Sequence, residues 1–195
     1  MEYNEIYNQL INEIPLNKSE NVYGILFIAG PGFGKSTITK ILSSKLNLFI
    51  ASNDAIRRVI NKDKDVPETR DLVLKLAFDR LEYLLDNKIS HVLDGDSEFF
   101  FDKLYDLYNK YNARMIVIKL ECSEETILKR LDNRALSFGK TDNESRAIRD
   151  DYYKYLDKLK NNSIKSDLNY YVINTDTSYE EIEKQVDELI TKYML

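Results

Sequence analysis

The chain predicts an α/β fold: three layers, α/β/α, built on a five-stranded parallel sheet. Three observations point there. Short apolar runs alternate with amphipathic helical stretches along the chain, the pattern of a parallel sheet covered on both faces. The first run, Gly-Ile-Leu-Phe-Ile at 24–28, leads straight into A-G-P-G-F-G-K-S-T at 29–37, a phosphate-binding loop joining a strand to a helix. Polar, chemistry-bearing residues then recur just past the later runs, where ligands bind in sheets of this kind.

The elements follow in order. Residues 2–14 read as an amphipathic helix with Ile6, Leu10, Ile11 and Ile14 at helical spacing. It forms part of an N-terminal segment, 1–20, and packs on the outside of the domain or serves a dimer contact. Strand one spans about 22–29, and the helix after the loop about 36–46, with Ile38, Ile41, Leu42 and Leu46 on one face. Strand two, 48–51, leads into Ser-Asn-Asp and a helix from Asp54. A long helix over 68–87 carries Leu72, Leu76, Leu81, Leu84 and Leu85. Strand three, 90–93, ends in Asp94-Gly95-Asp96, and a helix rich in Phe and Tyr covers 99–111. Strand four is 114–120, and Ser123-Glu124-Glu125 makes a good helix start. A further helix occupies 146–160, strand five 170–173, and a last helix 178–193 with Tyr179, Ile182, Val186, Leu189 and Ile190 inward.

Composition bounds the rest. At 195 residues, 43% hydrophobic and 31% charged, the chain suits one globular domain with a full core. Three Pro and six Gly leave no room for a long flexible linker. No run approaches the length of a membrane-spanning helix, and the acidic start M-E-Y-N-E lacks the features of a signal peptide. Cys122 is the only cysteine, so no intrachain disulfide forms and a cytoplasmic location is the default expectation. A net charge of −5 argues against a surface built throughout for nucleic acid, while leaving room for a local basic groove.

The loop is the most specific signal. Gly32 and Gly34 let backbone N–H groups turn inward around a phosphate chain, with Gly30, Phe33 and Thr37 completing the cradle. Lys35 reaches the β- and γ-phosphates, and the Ser36 hydroxyl can sit on Mg²⁺. The next helix adds its positive N-terminal end to the same anion site. Past strand two, Asp54 can accept a proton from an acceptor hydroxyl, or simply cap its helix. Arg57, three residues on, can grip a phosphate or carboxylate of the acceptor. Past strand three, Asp94 is the first choice for a Mg²⁺-organising carboxylate and Asp96 the second. Asp96 can alternatively hold the acceptor or act as base; a plain turn at Asp94-Gly95 is the less favoured alternative. Past strand four, Arg130 and Arg134 share a helix face before a polar segment, 137–145. That suits a lid, about 130–150, lowering arginines onto the transferring phosphoryl group; a solvated basic helix face is the alternative.

Other residues read as structural. His91, the lone histidine, opens a strand, and Cys122 reads as a small buried residue. The run Phe99-Phe100-Phe101 with Tyr105 and Tyr108 reads as core more readily than as a stacking platform for a base. The loop 174–178 either borders the nucleotide base or merely caps the last helix.

Taken together, A-G-P-G-F-G-K-S-T, S-N-D-A-I-R-R, V-L-D-G-D, I-K-L-E-C-S-E-E-T-I-L-K-R-L-D-N-R and Y-V-I-N-T-D-T-S resemble, in order and spacing, a branch of the P-loop kinases. It is the AAA-like branch that includes polynucleotide 5′-hydroxyl kinases and zeta-toxin-like kinases. The resemblance runs from about residue 22 to the end. It implies a P-loop NTPase fold with a helical lid, ATP and Mg²⁺ as cofactors, and phosphoryl transfer to a small-molecule, nucleotide or nucleic-acid 5′-end acceptor. It makes Asp54 the general base, Arg57 the acceptor grip, and Arg130 or Arg134 the stabiliser of the phosphoryl group. Ala29 stands where the pattern has Gly, and residues 60–90 and 97–110 match no acceptor-binding pattern.

Overall fold

A computed structural model describes residues 2–60, 67–95, 97–137, 142–161 and 168–195. Five parallel strands form one sheet in the order β2-β3-β1-β4-β5: β1 (Tyr23–Ile28), β2 (Phe49–Ser52), β3 (His91–Asp94), β4 (Arg114–Glu121) and β5 (Tyr171–Asn174). The helices are α1 (Tyr3–Asn12), α2 (Lys35–Leu46), α3 (Asn53–Ile60), α4 (Pro67–Asp86), α5 (Phe101–Lys110), α6 (Glu124–Ser137), α7 (Asp142–Asn161) and α8 (Tyr179–Tyr193), with a 3₁₀ turn at Ser97–Phe100. The expected three-layer fold is thus present. Strand position explains strand composition: central β1 buries Ile25, Leu26 and Phe27 completely, whereas edge strand β5 leaves Val172 exposed. Among the described residues, no helix is long and apolar enough to cross a membrane.

The chain divides into two compact units. One comprises Met1–Leu26, Leu42–Gly95 and Asp102–Ile116. Within it, a reciprocal Glu2–Glu5 capping box starts α1. Ile6 and Leu10 of that helix pack with Ile56 and Ile60 of α3 and Val73 and Leu76 of α4. Ile14, just past α1, joins Ala51, Leu84 and Ile89 in a second cluster on which Ile11 of α1 packs, so the apolar face of α1 is buried inside the unit. A buried polar pair lies at the start of β3. The Ile89 carbonyl, 2.8 Å from His91 Nδ1, can only accept, so Nδ1 carries the proton. Nε2 is then the acceptor for the Tyr108 hydroxyl at 2.6 Å. Burial pushes the imidazole down to about 4, which keeps it neutral, and raises the Tyr108 phenol. A Cβ on Gly24 would fall 1.8 Å from the Tyr108 hydroxyl, so only glycine admits this pair.

The other unit comprises Phe27–Ile41, Asp96–Phe101 and Val117–Leu195. Ile127 and Leu131 of α6 pack with Tyr152 of α7, and Phe33 leans on the same cluster. Ser178 caps α8 by accepting from Glu181 N at 3.3 Å.

Several local expectations change. Helix α3 begins at Asn53, one residue early, and the 99–111 helix opens as a 3₁₀ turn. From Asp142 onward the polar segment 137–145 is already α7, while residues 138–141 lie outside the described residues. Tyr179 and Tyr105 face solvent at 53% and 52% exposure rather than the core, their ring hydroxyls favouring water. Phe101 and Tyr108 of the same aromatic run are buried, whereas Phe99 and Phe100 are half-buried. Cys122 is half-buried rather than buried.

Candidate functional site

The phosphate loop has the backbone that its sequence demands. Gly32 and Gly34 both take positive φ, +82° and +90°, a region that side-chain-bearing residues avoid. Helix α2 follows at once, with Thr37 N and Ile38 N both donating to Gly34 O at 3.0 and 3.2 Å. Its opening N–H groups therefore collect at the loop. Lys35 is half-buried, and Ser36 and Thr37 are exposed. Ala29 is fully buried, so the residue in place of the usual Gly meets no ligand.

Side chains from α6, α7 and the β5–α8 loop hold this loop. Phe33 lies 5.9 Å edge-on from the Tyr155 ring and 6.3 Å from Tyr152, and Gly30 sits so close under Tyr155 that a Cβ would come within 2.4 Å of it. Arg130 Nη1 donates to Gly32 O at 3.3 Å, to Thr175 Oγ1 at 3.2 Å and to Cys122 Sγ at 3.4 Å. Its Nη2 donates to Thr175 O at 2.6 Å. The Thr175 hydroxyl donates to Phe33 O at 2.7 Å, with Glu121 O farther away at 3.3 Å. Asp176 accepts from Ser123 N and Thr126 Oγ1; the Ser123 and Thr126 side chains, with a lesser part from the Ser123 backbone, lower its carboxyl from the ordinary value. Ser123 also caps α6, accepting from Thr126 N at 3.3 Å. Arg134 is exposed on α6.

The other unit carries the remaining candidates. Ser52, not Asp54, caps α3: Asp54 N donates to Ser52 Oγ at 3.2 Å. Because the helix starts at Asn53, Asp54 lies inside the first turn and its carboxylate is released from capping. It accepts from Arg57 Nη1 at 2.7 Å, with Asp54 73% and Arg57 34% exposed. Arg58 Nε reaches Asp54 O at 3.4 Å. Ser52 and Asp94 are register partners at the ends of β2 and β3. Behind them, Arg80 of α4 is 2% exposed and donates Nη2 to Ser52 O at 3.0 Å; burial pushes its guanidinium down to about 10. Asp96 lies outside the described residues. Among the described residues, no cluster of three or more His, Cys, Asp or Glu could hold a metal.

Sequence reasoning missed Arg80 and underweighted Thr175. A signal for Arg80 was present: it interrupts the stripe Leu76–Arg80–Leu84, where a charge on an apolar face calls for a partner. Thr175 gave no such signal, because a Thr in a polar loop reads as a cap.

Comparison with known proteins bears on the family and the fold. Adenylate kinase of Chlamydia trachomatis serovar L2 is 30% identical, and the match covers 56% of this chain and 56% of that one. The chain thus spans about half the length of the curated relatives it matches. Shikimate kinase from Bacteroides thetaiotaomicron superposes with a TM-score of 0.58 at 22% identity, covering 89% of this chain and 99% of that one. The Mycobacterium tuberculosis APS kinase CysC, solved with AMPPNP and APS, gives 0.57 at 16% identity, covering 91% of this chain and all of the other. These structures share the fold. The AAA domain family, AAA_18, matches residues 25–151, a stretch that holds the phosphate loop, Asp54, Asp94 and both arginines of α6, and the chain belongs to that family.

Proposed function

We propose that the chain is a kinase that transfers the γ-phosphate of ATP to a hydroxyl or phosphate of a small molecule or nucleotide. The observation that carries this reading is the loop itself: two positive-φ glycines feeding directly into a helix that begins at Lys35. The family and the adenylate, shikimate and APS kinases that resemble the chain support it.

The loop N–H groups and Lys35 bind the phosphates. Ser36 and Asp94 supply oxygen donors of the kind that Mg²⁺ takes beside substrate phosphates, so a many-carboxylate cage is not needed. Mg²⁺ would neutralise charge on the phosphates when bound. Asp54 takes the proton of the attacking hydroxyl, its carboxylate free of the capping role. Arg57 gives up part of its bond to Asp54 and grips the acceptor, with Asp96 as a further contact. Arg134 meets the charge on the transferring group, and Arg130 steadies the loop from behind. A cytoplasmic location suits an ATP-consuming enzyme with one free cysteine.

A γ-labelled ATP transfer assay against pooled nucleosides, nucleoside monophosphates, sugars, sugar nucleotides and 5′-hydroxyl oligonucleotides tests the reading. Label is expected in a small-molecule or nucleotide class. Label confined to oligonucleotides, with a steep loss in added salt, would instead assign a polynucleotide 5′-kinase. Nucleotide binding without any label transfer would favour a switch that orders a partner surface without chemistry.

A further inference from the structure

The phosphate loop carries its N–H groups on peptide planes that could face either way. Something must fix their direction before a ligand arrives, since a flipped peptide would present a carbonyl to a phosphate. Thr175 is 1% exposed and stands at the carboxyl end of β5. Its single hydroxyl proton goes to the nearest acceptor, Phe33 O at 2.7 Å rather than Glu121 O at 3.3 Å. The Phe33–Gly34 peptide is trans, so its N–H points opposite to its carbonyl. A carbonyl tied to Thr175 therefore turns the Gly34 N–H away from the Thr175 side chain. Arg130 completes the arrangement by holding Gly32 O and donating into Thr175 Oγ1 and Thr175 O.

We infer that Thr175 is a positioning residue for phosphate binding: its hydroxyl sets the direction of the Phe33–Gly34 peptide and so the affinity of the loop for the polyphosphate. The inference rests on the phosphate-loop reading above. It differs from a role beside the nucleotide base, because it acts on the phosphates alone.

The test is calorimetric titration of the full chain with two probes, ADP and inorganic tripolyphosphate, each with Mg²⁺. Thr175→Val removes the hydroxyl and keeps the shape; Thr175→Ser keeps the hydroxyl. Thr175→Val is expected to bind both probes about tenfold more weakly, the effect of one lost hydrogen bond to a preorganised site, with Thr175→Ser restoring affinity to within about threefold. Should the Val variant not fold, Thr175→Ala replaces it with the same expectation. Unchanged tripolyphosphate binding in Thr175→Val would overturn the inference, as would a loss confined to ADP, which would place Thr175 at the base. A Thr175→Ser variant as weak as Thr175→Val would overturn it too. A wild-type chain that bound neither probe would overturn the phosphate-loop reading itself, and this inference with it.

Discussion

The phosphate loop and the turn that opens α3 both end a strand and start a helix, yet they are made of different materials. The loop is backbone: two glycines at positive φ supply its shape, and side chains such as Arg130 and Thr175 hold it from behind. The α3 turn is side chain: the Ser52 hydroxyl caps the helix, Arg80 holds the Ser52 carbonyl from the buried side, and the groups proposed to act on the acceptor are an exposed Asp54–Arg57 pair. A backbone site tolerates little change in its glycines and binds what many related enzymes share. A side-chain site can be rebuilt one residue at a time, which is why the acceptor differs among proteins of the same fold.

The largest expected effect falls on the loop. Lys35→Ala should lower phosphoryl transfer by at least about a hundredfold to a thousandfold, the scale of one lost charge-stabilising donor. Its melting temperature should stay near that of the wild type; near-normal turnover would deny the loop its role in transfer. Asp54→Asn should cost about a hundredfold to ten-thousandfold in turnover, the usual range for a general base. Because the carboxylate does not cap α3, thermal denaturation should show no matching loss of stability.

His91 makes the unit that carries the α3 turn sensitive to acid. Its folded value of about 4 lies below the ordinary histidine value, so the unfolded chain binds the extra proton between the two. Its contribution is complete above about pH 6.5 and is lost as pH falls toward 4, on the order of 3 kcal/mol. Urea unfolding at pH 7 and 4.5 should show this loss in the wild type and much less of it in His91→Gln; equal losses would exclude the His91–Tyr108 pair as the cause. A smaller effect on stability than that of His91 belongs to Arg80→Met. It removes a donor to Ser52 O but also a buried charge, so stability should move by about 1 kcal/mol or less. Steady-state kinetics should instead show a higher KM for the acceptor and an unchanged KM for ATP. An equal rise in both would deny Arg80 a local role at the α3 turn.

The sheet, its strands and the loop were legible in the sequence because each depends on neighbours close in the chain. Alternating apolar runs mark the strands, and G-P-G-F-G-K-S-T marks the loop within eight residues. Asp54 and Arg57 were legible as a pair for the same reason, though not the cap: Ser52 and Asp54 are both good capping residues, and only the start of α3 at Asn53 decides between them. Residues that act across long separations were not legible. Thr175 reaches Phe33, and Arg80 reaches Ser52, through the packing of whole elements, which no local spacing encodes. Tyr105 and Tyr179 were misplaced because helical spacing was taken for burial, whereas a tyrosine hydroxyl also suits water and both residues are exposed.

The proposed mechanism divides the labour between a loop that binds phosphates and an α3 carboxylate that performs the chemistry. The most direct measurement pairs ADP affinity with γ-phosphate transfer in the wild type and in Asp54→Asn. Equal ADP affinity is expected, with a transfer rate at least about a hundredfold lower in the variant. Transfer at the wild-type rate in Asp54→Asn, with ADP still bound, would contradict it.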